Sequence, residues 1–194
     1  MSADVLVPRP ETEILAEWAI EHLRSRSMGS ARPRVVDLGT GSGALALAIA
    51  AACPDANVTA TDRSAAALAV AKANGQRLGL NVRLAEGDWW SGVGDARFDL
   101  AVANPPYIAE GDPHLAALRH EPRRALVAGG AGLRDLAAIV KGARPHVSGW
   151  LLVEHGSDQA DDVRQLMSSV GFSGLETRAD LNGLPRCTGG RTSS

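Results

Sequence analysis

The sequence is poor in aromatic residues, in cysteine and in net charge, and each shortage excludes a class of protein. Only 4% of the 194 residues are aromatic, with a single tyrosine, Tyr107. The two cysteines, Cys53 and Cys187, have no metal-type spacing and cannot form a disulfide framework. The formal net charge of -2 disfavours a protein that binds nucleic acid mainly through phosphate contacts, so no direct nucleic-acid partner is expected. No histidine lies in a metal-binding pattern, and no metal site is predicted.

Long apolar runs and a targeting segment are missing as well. The longest apolar run, Ala44 to Cys53, is too short to cross a bilayer, so no membrane partner is expected. No charged and then apolar segment opens the chain, which indicates a cytoplasmic protein with reduced cysteines. The length corresponds to one domain that can bury a sizeable core.

Short apolar runs alternate with longer segments of helical periodicity. The runs are Val35 to Leu38, Val58 to Ala60, Val82 to Ala85, Phe98 to Ala103, Trp150 to Val153 and Leu175 to Thr177. Apolar faces with helical spacing lie between them, as at Leu133 to Val140 and Val163 to Val170. This alternation predicts an α/β fold with a mostly parallel sheet.

Single residues predict where several elements begin and end. Ser64 and Asp158 occupy positions typical of helix N-caps, and Gly79 and Gly171 occupy positions typical of helix ends. The segment from Leu184 to Gly190 is expected to return as an antiparallel edge strand after the Asn182-Gly183 turn. The Gly- and Ser-rich stretch from Gly189 to Ser194 is expected to fray.

A glycine-rich turn follows the first apolar run and leads directly into an Ala/Leu helix. Its glycines, Gly39, Gly41 and Gly43, are separated by Thr40 and Ser42. Glycine allows a tight turn and a close approach of the backbone to a ligand, and the helix start offers free N–H groups. A dinucleotide site has the spacing G-x-G-x-x-G, whereas this turn has G-x-G-x-G preceded by an aspartate. The spacing resembles the S-adenosylmethionine-binding turn of methyltransferases and disfavours a nicotinamide dehydrogenase.

Two further strand ends carry candidate cofactor-binding residues. Asp62 ends the second run about 20 residues beyond the glycines, where a carboxylate can accept hydrogen bonds from both ribose hydroxyls. Asp88 and Trp89 end the third run, where a carboxylate can accept from an adenine amino group while an aromatic face packs on the base. The adjacent Trp90 is expected to pack in the core.

The fourth run ends in Asn104-Pro105-Pro106-Tyr107. Two prolines stop the strand, stiffen the turn and remove two backbone donors. The acceptors that remain are the Asn104 side-chain oxygen and the Pro105 carbonyl, which suit a substrate that presents a planar NH2 group. The Tyr107 ring can close over that group. Ligands bind at this edge of open α/β sheets, so Asn104, Pro105 and Tyr107 are the predicted catalytic residues, and Pro106 lines the same substrate site.

Together these features resemble the HemK-type glutamine methyltransferases, which modify peptide chain release factors. The opening Val5-Leu6-Val7-Pro8-Arg9-Pro10-Glu11-Thr12-Glu13 is similar to the segment that distinguishes this family from other Asn-Pro-Pro-Tyr methyltransferases. The likeness extends from about Val5 to Arg191 and continues through His120 to Arg123, Ala125, Leu126, Gly129, Gly132, Leu133, Glu154 to Gly156, Gln159, Asp180, Gly183 and Arg186.

The resemblance implies a Rossmann-like seven-stranded sheet with helices on both faces and an antiparallel last strand. It implies transfer of a methyl group from S-adenosylmethionine to a glutamine amide in a Gly-Gly-Gln loop of a release factor, with S-adenosylhomocysteine as product. The cofactor would be held by Gly39 to Gly43, Asp62, Asp88, Trp89 and Asn104, with Arg9 and Thr12 near its methionine end.

The expected organisation is one catalytic domain over residues 1–191, with the segment 1–30 packed on it and a flexible tail at 192–194. The resemblance implies a catalytic domain without the helical domain that precedes it in this family. A monomer is expected. Two other functions remain open: methylation of an amino group on a nucleic-acid base, which presents the same planar NH2, and a module that binds the cofactor without catalysis.

Overall fold

The computed structural model describes residues 9–25, 32–109, 126–129 and 132–192. Predictions about Val5 to Pro8, the matches at His120 to Ala125 and the tail at 193–194 therefore lie outside the described residues.

The described residues alternate between strands and helices, as the sequence predicts. The helices are α1 (Pro10–Ser25), α2 (Ala44–Ala52), α3 (Ala65–Leu78), α4 (Arg134–Gly142) and α5 (Ala160–Ser169), with a short 3-10 helix at Trp89–Val93. The strands are β1 (Arg34–Leu38), β2 (Asn57–Asp62), β3 (Arg83–Glu86), β4 (Phe98–Ala103), β5 (Ile108–Ala109), β6 (Val127–Ala128), β7 (Val147–Glu154), β8 (Phe172–Ala179) and β9 (Pro185–Thr192).

Seven strands form one sheet in the order β3-β2-β1-β4-β7-β9-β8, and β5 pairs with β6 in a separate small sheet. The pairs β1·β2, β1·β4, β2·β3 and β4·β7 are parallel, while β9 is antiparallel to both β7 and β8. The α/β class and the antiparallel last strand are confirmed. The prediction that this strand lies at an edge is wrong, because β9 inserts between β7 and β8.

Helices cover both faces of the sheet and create two cores. On one face, α1 and α2 bury Leu15, Trp18 and Ile49 against strand residues that include Leu100 and Leu152. On the other face, α4 and α5 bury their apolar stripes against the alternate residues of β1, β4 and β7. Successive side chains of a strand point to opposite faces, so a strand that is buried on both faces is a continuous run of apolar residues. These apolar runs are the feature of the sequence that predicts the strands.

Most of the predicted helix ends are confirmed. The Ser64 side chain accepts a hydrogen bond from the Ala67 N–H at 3.3 Å, and Gly79 ends α3 with φ 66°. Gly171 follows α5 with φ 87°. Asp158 is not the N-cap of α5. Gln159 occupies that position because its N–H and the Gly156 carbonyl close a turn at 3.0 Å, which moves the helix start one residue along the chain.

The glycine-rich end of the chain does not fray as expected over Gly189 to Thr192. Gly189 and Gly190 are buried in β9, which pairs with a strand on each side. A Cβ on Gly189 would lie 2.5 Å from Leu152 and 2.7 Å from Trp18, so the absence of a side chain allows α1 to pack closely on the sheet. Among the described residues, no helix is long and apolar enough to cross a membrane.

We expect Gly189→Ala to lower the free energy of unfolding by about 1–3 kcal/mol, because the added methyl group overpacks the contact between α1 and the sheet. Urea unfolding measures the change. Glu176→Ala is the matched control, since Glu176 is the exposed partner of Gly189 on β8 and its loss should change stability by less than about 0.5 kcal/mol. Equal effects of the two substitutions would contradict this account of the packing.

Candidate active site at the carboxyl edge of the sheet

The strand register places the predicted site residues side by side at one edge of the sheet. Leu38 of β1 pairs with Ala103 of β4, so the glycine turn and Asn104 leave adjacent strands at the same level. Ala103 pairs in turn with Val153, which places Glu154 beside Asn104. Two segments about 65 residues apart in the sequence, and a third a further 50 residues along, therefore meet at this edge.

The three glycines of the turn all have left-handed backbone conformations, with φ of 72° at Gly39, 55° at Gly41 and 81° at Gly43. Side chains are strained in this region, which explains glycine at each position. A Cβ on Gly43 would lie 3.0 Å from Ala71, so this glycine also lets α2 and α3 approach. At Gly41, by contrast, a Cβ would meet no atom within 4 Å. The glycine turn therefore faces open space at Gly41.

The Asp37 side chain holds the glycine turn in place. Its buried carboxylate accepts hydrogen bonds from the Thr40 hydroxyl at 2.5 Å and from the Ala46 N–H of α2 at 3.2 Å. Burial raises the pKa of Asp37 to about 7, against the opposing effect of these hydrogen bonds, and the nearby Asp62 raises it further. The Asp-x-Gly spacing marked this residue in the sequence, but its role as the anchor between strand, turn and helix emerges only from the structure.

Asp62 lies at the end of β2 and contacts the glycine turn directly. One carboxylate oxygen accepts from the Gly41 N–H at 2.9 Å, and the other accepts from the Ser64 N–H at 2.8 Å. The Thr40 N–H donates to the Thr61 carbonyl at 2.8 Å, which joins the turn to β2 a second time. Each carboxylate oxygen has a further lone pair, so Asp62 can still accept from hydroxyl groups above the turn.

Trp89 lies against the first glycine of the turn. A Cβ on Gly39 would lie 2.8 Å from the Trp89 ring, so only glycine permits this contact. Trp89 itself has φ 48°, a strained conformation for a bulky residue. Such strain is typical of functional sites, where the surrounding structure maintains it. The half-buried ring therefore forms one wall beside the turn.

The two neighbours of Trp89 have different environments. Asp88 is exposed at the start of the 3-10 helix, and its N–H donates to the Ser91 hydroxyl at 2.8 Å. Trp90 is buried, stacks on His146 with ring centroids 4.9 Å apart, and donates from its indole nitrogen to the Ile139 carbonyl at 2.8 Å. The expected division of the two tryptophans, one at the site edge and one in the core, matches these positions.

Asn104 has a partner that the sequence did not reveal. Its side-chain NH2 donates to the hydroxyl of Thr12 on α1 at 2.9 Å, across 92 residues of sequence. Because the Asn104 NH2 group makes this hydrogen bond, the side-chain oxygen of Asn104 remains as an acceptor for another. Pro105 is buried behind it, while Pro106 and Tyr107 are half-buried.

Glu154 lies behind the Asn-Pro-Pro-Tyr segment and is completely buried. Its Oε1 accepts from the Tyr107 hydroxyl at 3.3 Å, and its Oε2 has no hydrogen-bond partner among the described residues. Burial raises the pKa of Glu154 to about 7, although the nearby Thr12 and Tyr107 hydroxyl groups oppose that rise. Burial, with Glu154 next in importance, also raises the pKa of Tyr107, so its hydroxyl stays protonated and acts as the donor.

The backbone of the segment is held from the opposite side. Gln159 donates from its side-chain NH2 to the Tyr107 carbonyl at 3.1 Å, and its side-chain oxygen accepts from the Gly156 N–H at 2.9 Å. A Cβ on Gly132 would lie 2.2 Å from the same Tyr107 carbonyl, so glycine is required there. The segment thus has fixed contacts at its asparagine side chain, its tyrosine hydroxyl and its backbone.

His155 follows Glu154 and is held by hydrogen bonds at both ring nitrogens. Its Nδ1 lies 2.8 Å from the Gly156 carbonyl, which can only accept, so the proton is on Nδ1. Its Nε2, 2.8 Å from the Thr188 hydroxyl, therefore accepts from that residue. Burial lowers the pKa of His155, which keeps the ring neutral. Both nitrogens have partners within the protein.

The predicted cofactor and acceptor residues thus lie along one edge. The glycine turn, Asp62 and Trp89 are in direct contact with one another, and Asn104 follows the adjacent strand. The sequence did not predict how three other residues contact this edge. It placed Thr12 only approximately, near the cofactor, and it assigned no role to Glu154 or Gln159. Their contacts depend on packing between distant segments, for which the sequence contains no local signal.

These residues fit an S-adenosylmethionine site. The open space at Gly41 allows a ligand to approach the backbone of the turn. The lone pairs of Asp62 can accept hydrogen bonds from ribose hydroxyls, and the Trp89 ring can pack on a base. Within the described ranges, no cluster of histidine, cysteine or carboxylate residues could hold a metal ion.

Comparison with known proteins identifies the family. The family model described as "Methyltransferase small domain" matches residues 12–145. A release factor glutamine methyltransferase of Bordetella pertussis is 50% identical over 98% of this chain and 71% of its own length. Its counterpart in Pseudomonas aeruginosa is 47% identical over 96% of this chain and 67% of its own length. The chain belongs to the release factor glutamine methyltransferases. It spans about 70% of the length of these relatives.

A solved structure of the same family has the same fold. The protein-(glutamine-N5) methyltransferase from Alicyclobacillus acidocaldarius is 28% identical, with a TM-score of 0.59 over 100% of this chain and 99% of that chain. The Thermus thermophilus 16S rRNA methyltransferase RsmC, in complex with AdoMet and guanosine, is 18% identical, with a TM-score of 0.68 over 96% of this chain and 44% of that chain. The second likeness establishes the fold alone, which is the S-adenosylmethionine-dependent methyltransferase fold.

The buried carboxyl of Glu154 predicts a pH-dependent effect of Glu154→Gln on stability. The folded protein binds the proton up to about pH 7, whereas the ordinary pKa is 4.5. The contribution of the protonated Glu154 carboxyl group to the free energy of unfolding is therefore fully present below pH 4.5. It falls by up to about 3 kcal/mol as pH rises through 7 and the group ionises in the folded protein. The variant lacks this loss because a glutamine amide does not titrate.

Urea unfolding at about pH 5 and about pH 8 measures the effect. The stability of Glu154→Gln relative to the wild type should rise between these values, while Glu176→Gln at an exposed position should show no such rise. A difference between variant and wild type that is the same at both pH values would show that Glu154 titrates normally.

Proposed function

We propose that this chain transfers a methyl group from S-adenosylmethionine to the side-chain amide nitrogen of a glutamine in a peptide chain release factor. The observation that carries the proposal is the position of Asn104, directly beside the glycine turn and with its NH2 bound to Thr12. An acceptor oxygen adjacent to a methyl-donor site suits an amide NH2. The names of the relatives support the same reaction and substrate.

The cofactor would lie along the edge formed by the glycine turn, Asp62 and Trp89, with Asp88 toward its adenine amino group. When bound, it supplies an electrophilic methyl group on a sulfonium ion and is converted to S-adenosylhomocysteine. Asn104 follows the strand next to the turn, so the acceptor site adjoins the cofactor site. We place Arg9, which precedes α1, toward the methionine end of the cofactor, while the Thr12 hydroxyl contacts Asn104.

The acceptor amide would be held by Asn104 and Pro105. The Asn104 side-chain oxygen and the Pro105 carbonyl can each accept one hydrogen bond from an NH2 group, which aligns the nitrogen for in-line attack. An amide nitrogen is a weak nucleophile because its lone pair is delocalised, and positive charge grows on it during transfer. Two acceptors stabilise that charge more in the transition state than in the ground state, which accelerates the reaction.

Pro106 and Tyr107 would shape the same site. The Tyr107 ring provides a surface against the planar amide, and its hydroxyl is fixed on Glu154. A planar group bound against an aromatic face excludes water from the reacting nitrogen. No covalent intermediate is required, because the bond between nitrogen and the methyl carbon forms as the carbon–sulfur bond breaks, and the methylated nitrogen then releases one of its protons.

The proposed setting follows from the substrate. Release factors act in translation termination, so we expect the chain to work in the cytoplasm, as a monomer that binds its protein substrate transiently.

Methyl transfer from labelled S-adenosylmethionine tests the proposal, with three acceptors in parallel: a release factor, the same factor with its loop glutamine replaced by alanine, and DNA. Label on the unmodified factor alone is the expected result. Label on DNA would support methylation of a base, and cofactor binding without label on any acceptor would indicate a non-catalytic module. Either of these results would refute the proposal.

We expect Asn104→Ala to lower turnover on the release factor by about 100-fold, because one of the two acceptors for the reacting amide is lost. Cofactor affinity, measured by calorimetry, should change only modestly, since the glycine turn and Asp62 remain. Asn81→Ala, an exposed residue ahead of β3, is the matched control and should be as active as the wild type. Unchanged turnover in Asn104→Ala would exclude the proposed role.

A further inference from the structure

We propose that Thr12 is a positioning residue for methyl transfer: its hydroxyl accepts from the Asn104 NH2, so that the Asn104 amide presents its oxygen to the acceptor. This inference rests on the proposed function, since it concerns the same acceptor site. It assigns a purpose to the contact between α1 and the Asn-Pro-Pro-Tyr segment.

The geometry of the contact is specific. Thr12 lies in the first turn of α1, where its N–H donates to the Arg9 carbonyl at 3.0 Å. This hydrogen bond fixes the position of the Thr12 backbone. Thr12 is only 9% exposed, and its hydroxyl oxygen lies 2.9 Å from Nδ2 of the partly buried Asn104. A buried hydroxyl with a hydrogen-bond partner has a well-defined orientation, because loss of that partner costs free energy.

The same contact sets the orientation of the Asn104 amide. Its Nδ2 is the atom that lies 2.9 Å from the Thr12 oxygen, and an amide NH2 group can only donate. The Asn104 oxygen therefore lies at the opposite edge of the amide group, away from Thr12.

Kinetics of Thr12→Val and Thr12→Ser test the proposal. Valine keeps the shape of threonine but removes the hydroxyl, so kcat on the release factor should fall by about 10- to 100-fold while the affinity for S-adenosylmethionine stays within about 3-fold. Serine retains the hydroxyl and should restore kcat to within about 3-fold of the wild type. Thr59→Val, on β2 away from the carboxyl edge, is the matched control and should have wild-type kcat.

A further measurement separates positioning from general destabilisation. In an Asn104→Ala background, Thr12→Val should lower kcat no further, because the group that it orients is already absent. Equal kcat in Thr12→Val and the wild type, or full additivity with Asn104→Ala, would overturn the proposal.

The orientation can also be measured without a methyl acceptor. The side-chain NH2 protons of Asn104 should exchange slowly with solvent in NMR spectra of the wild type and Thr12→Ser, and faster in Thr12→Val. Equal exchange in all three proteins would overturn the proposed orientation. A wild type that shows slow exchange but never methylates a release factor would refute the proposed function and leave the orientation supported.

Discussion

The parallel pairing of β1 with β4 is the constraint on which the site depends. Because Leu38 and Ala103 are register partners, the glycine turn and Asn104 must emerge next to each other at one edge of the sheet. Parallel strands require crossover connections, and here the crossovers supply α2 and α3, whose packing fixes the turn. A change of register between these strands would separate the methyl-donor side from the acceptor side.

Buried polar groups then fix the residues at this edge. Asp37 ties the turn to α2, Gln159 holds the Tyr107 carbonyl, and Glu154 lies beneath the Tyr107 hydroxyl. Burial of carboxyl groups is costly, as the raised pKa values of Asp37 and Glu154 show. Stability is therefore reduced where polar groups are needed to orient the acceptor site, a compromise typical of enzymes.

The contribution of α1 links fold to function. Its apolar face, with Leu15 and Trp18, packs on the sheet, and this packing delivers Thr12 to Asn104. The small residue Gly189 allows that close approach. A helix at one end of the sequence thus completes a site whose other members follow strands in the middle of the chain.

Sequence reasoning could predict much of this arrangement, because strands and turns have local signals. Apolar runs predicted the strands, and the glycine spacing, Asp62, Trp89 and Asn104 could be placed at strand ends. The position of β9 could not be predicted, since Pro185 to Thr192 contains few apolar residues and its buried glycines produce no periodicity. The Thr12–Asn104 contact spans 92 residues, and the burial of Glu154 depends on three neighbouring elements, so no local pattern encodes either.

A crystal structure with S-adenosylhomocysteine and a glutamine-containing loop peptide of a release factor would test the central claim most directly. We predict that the glutamine amide nitrogen lies within hydrogen-bonding distance of the Asn104 side-chain oxygen and the Pro105 carbonyl, while the Asn104 NH2 remains on Thr12. A glutamine amide bound away from Asn104, or an Asn104 side chain turned from Thr12 toward the peptide, would contradict the account.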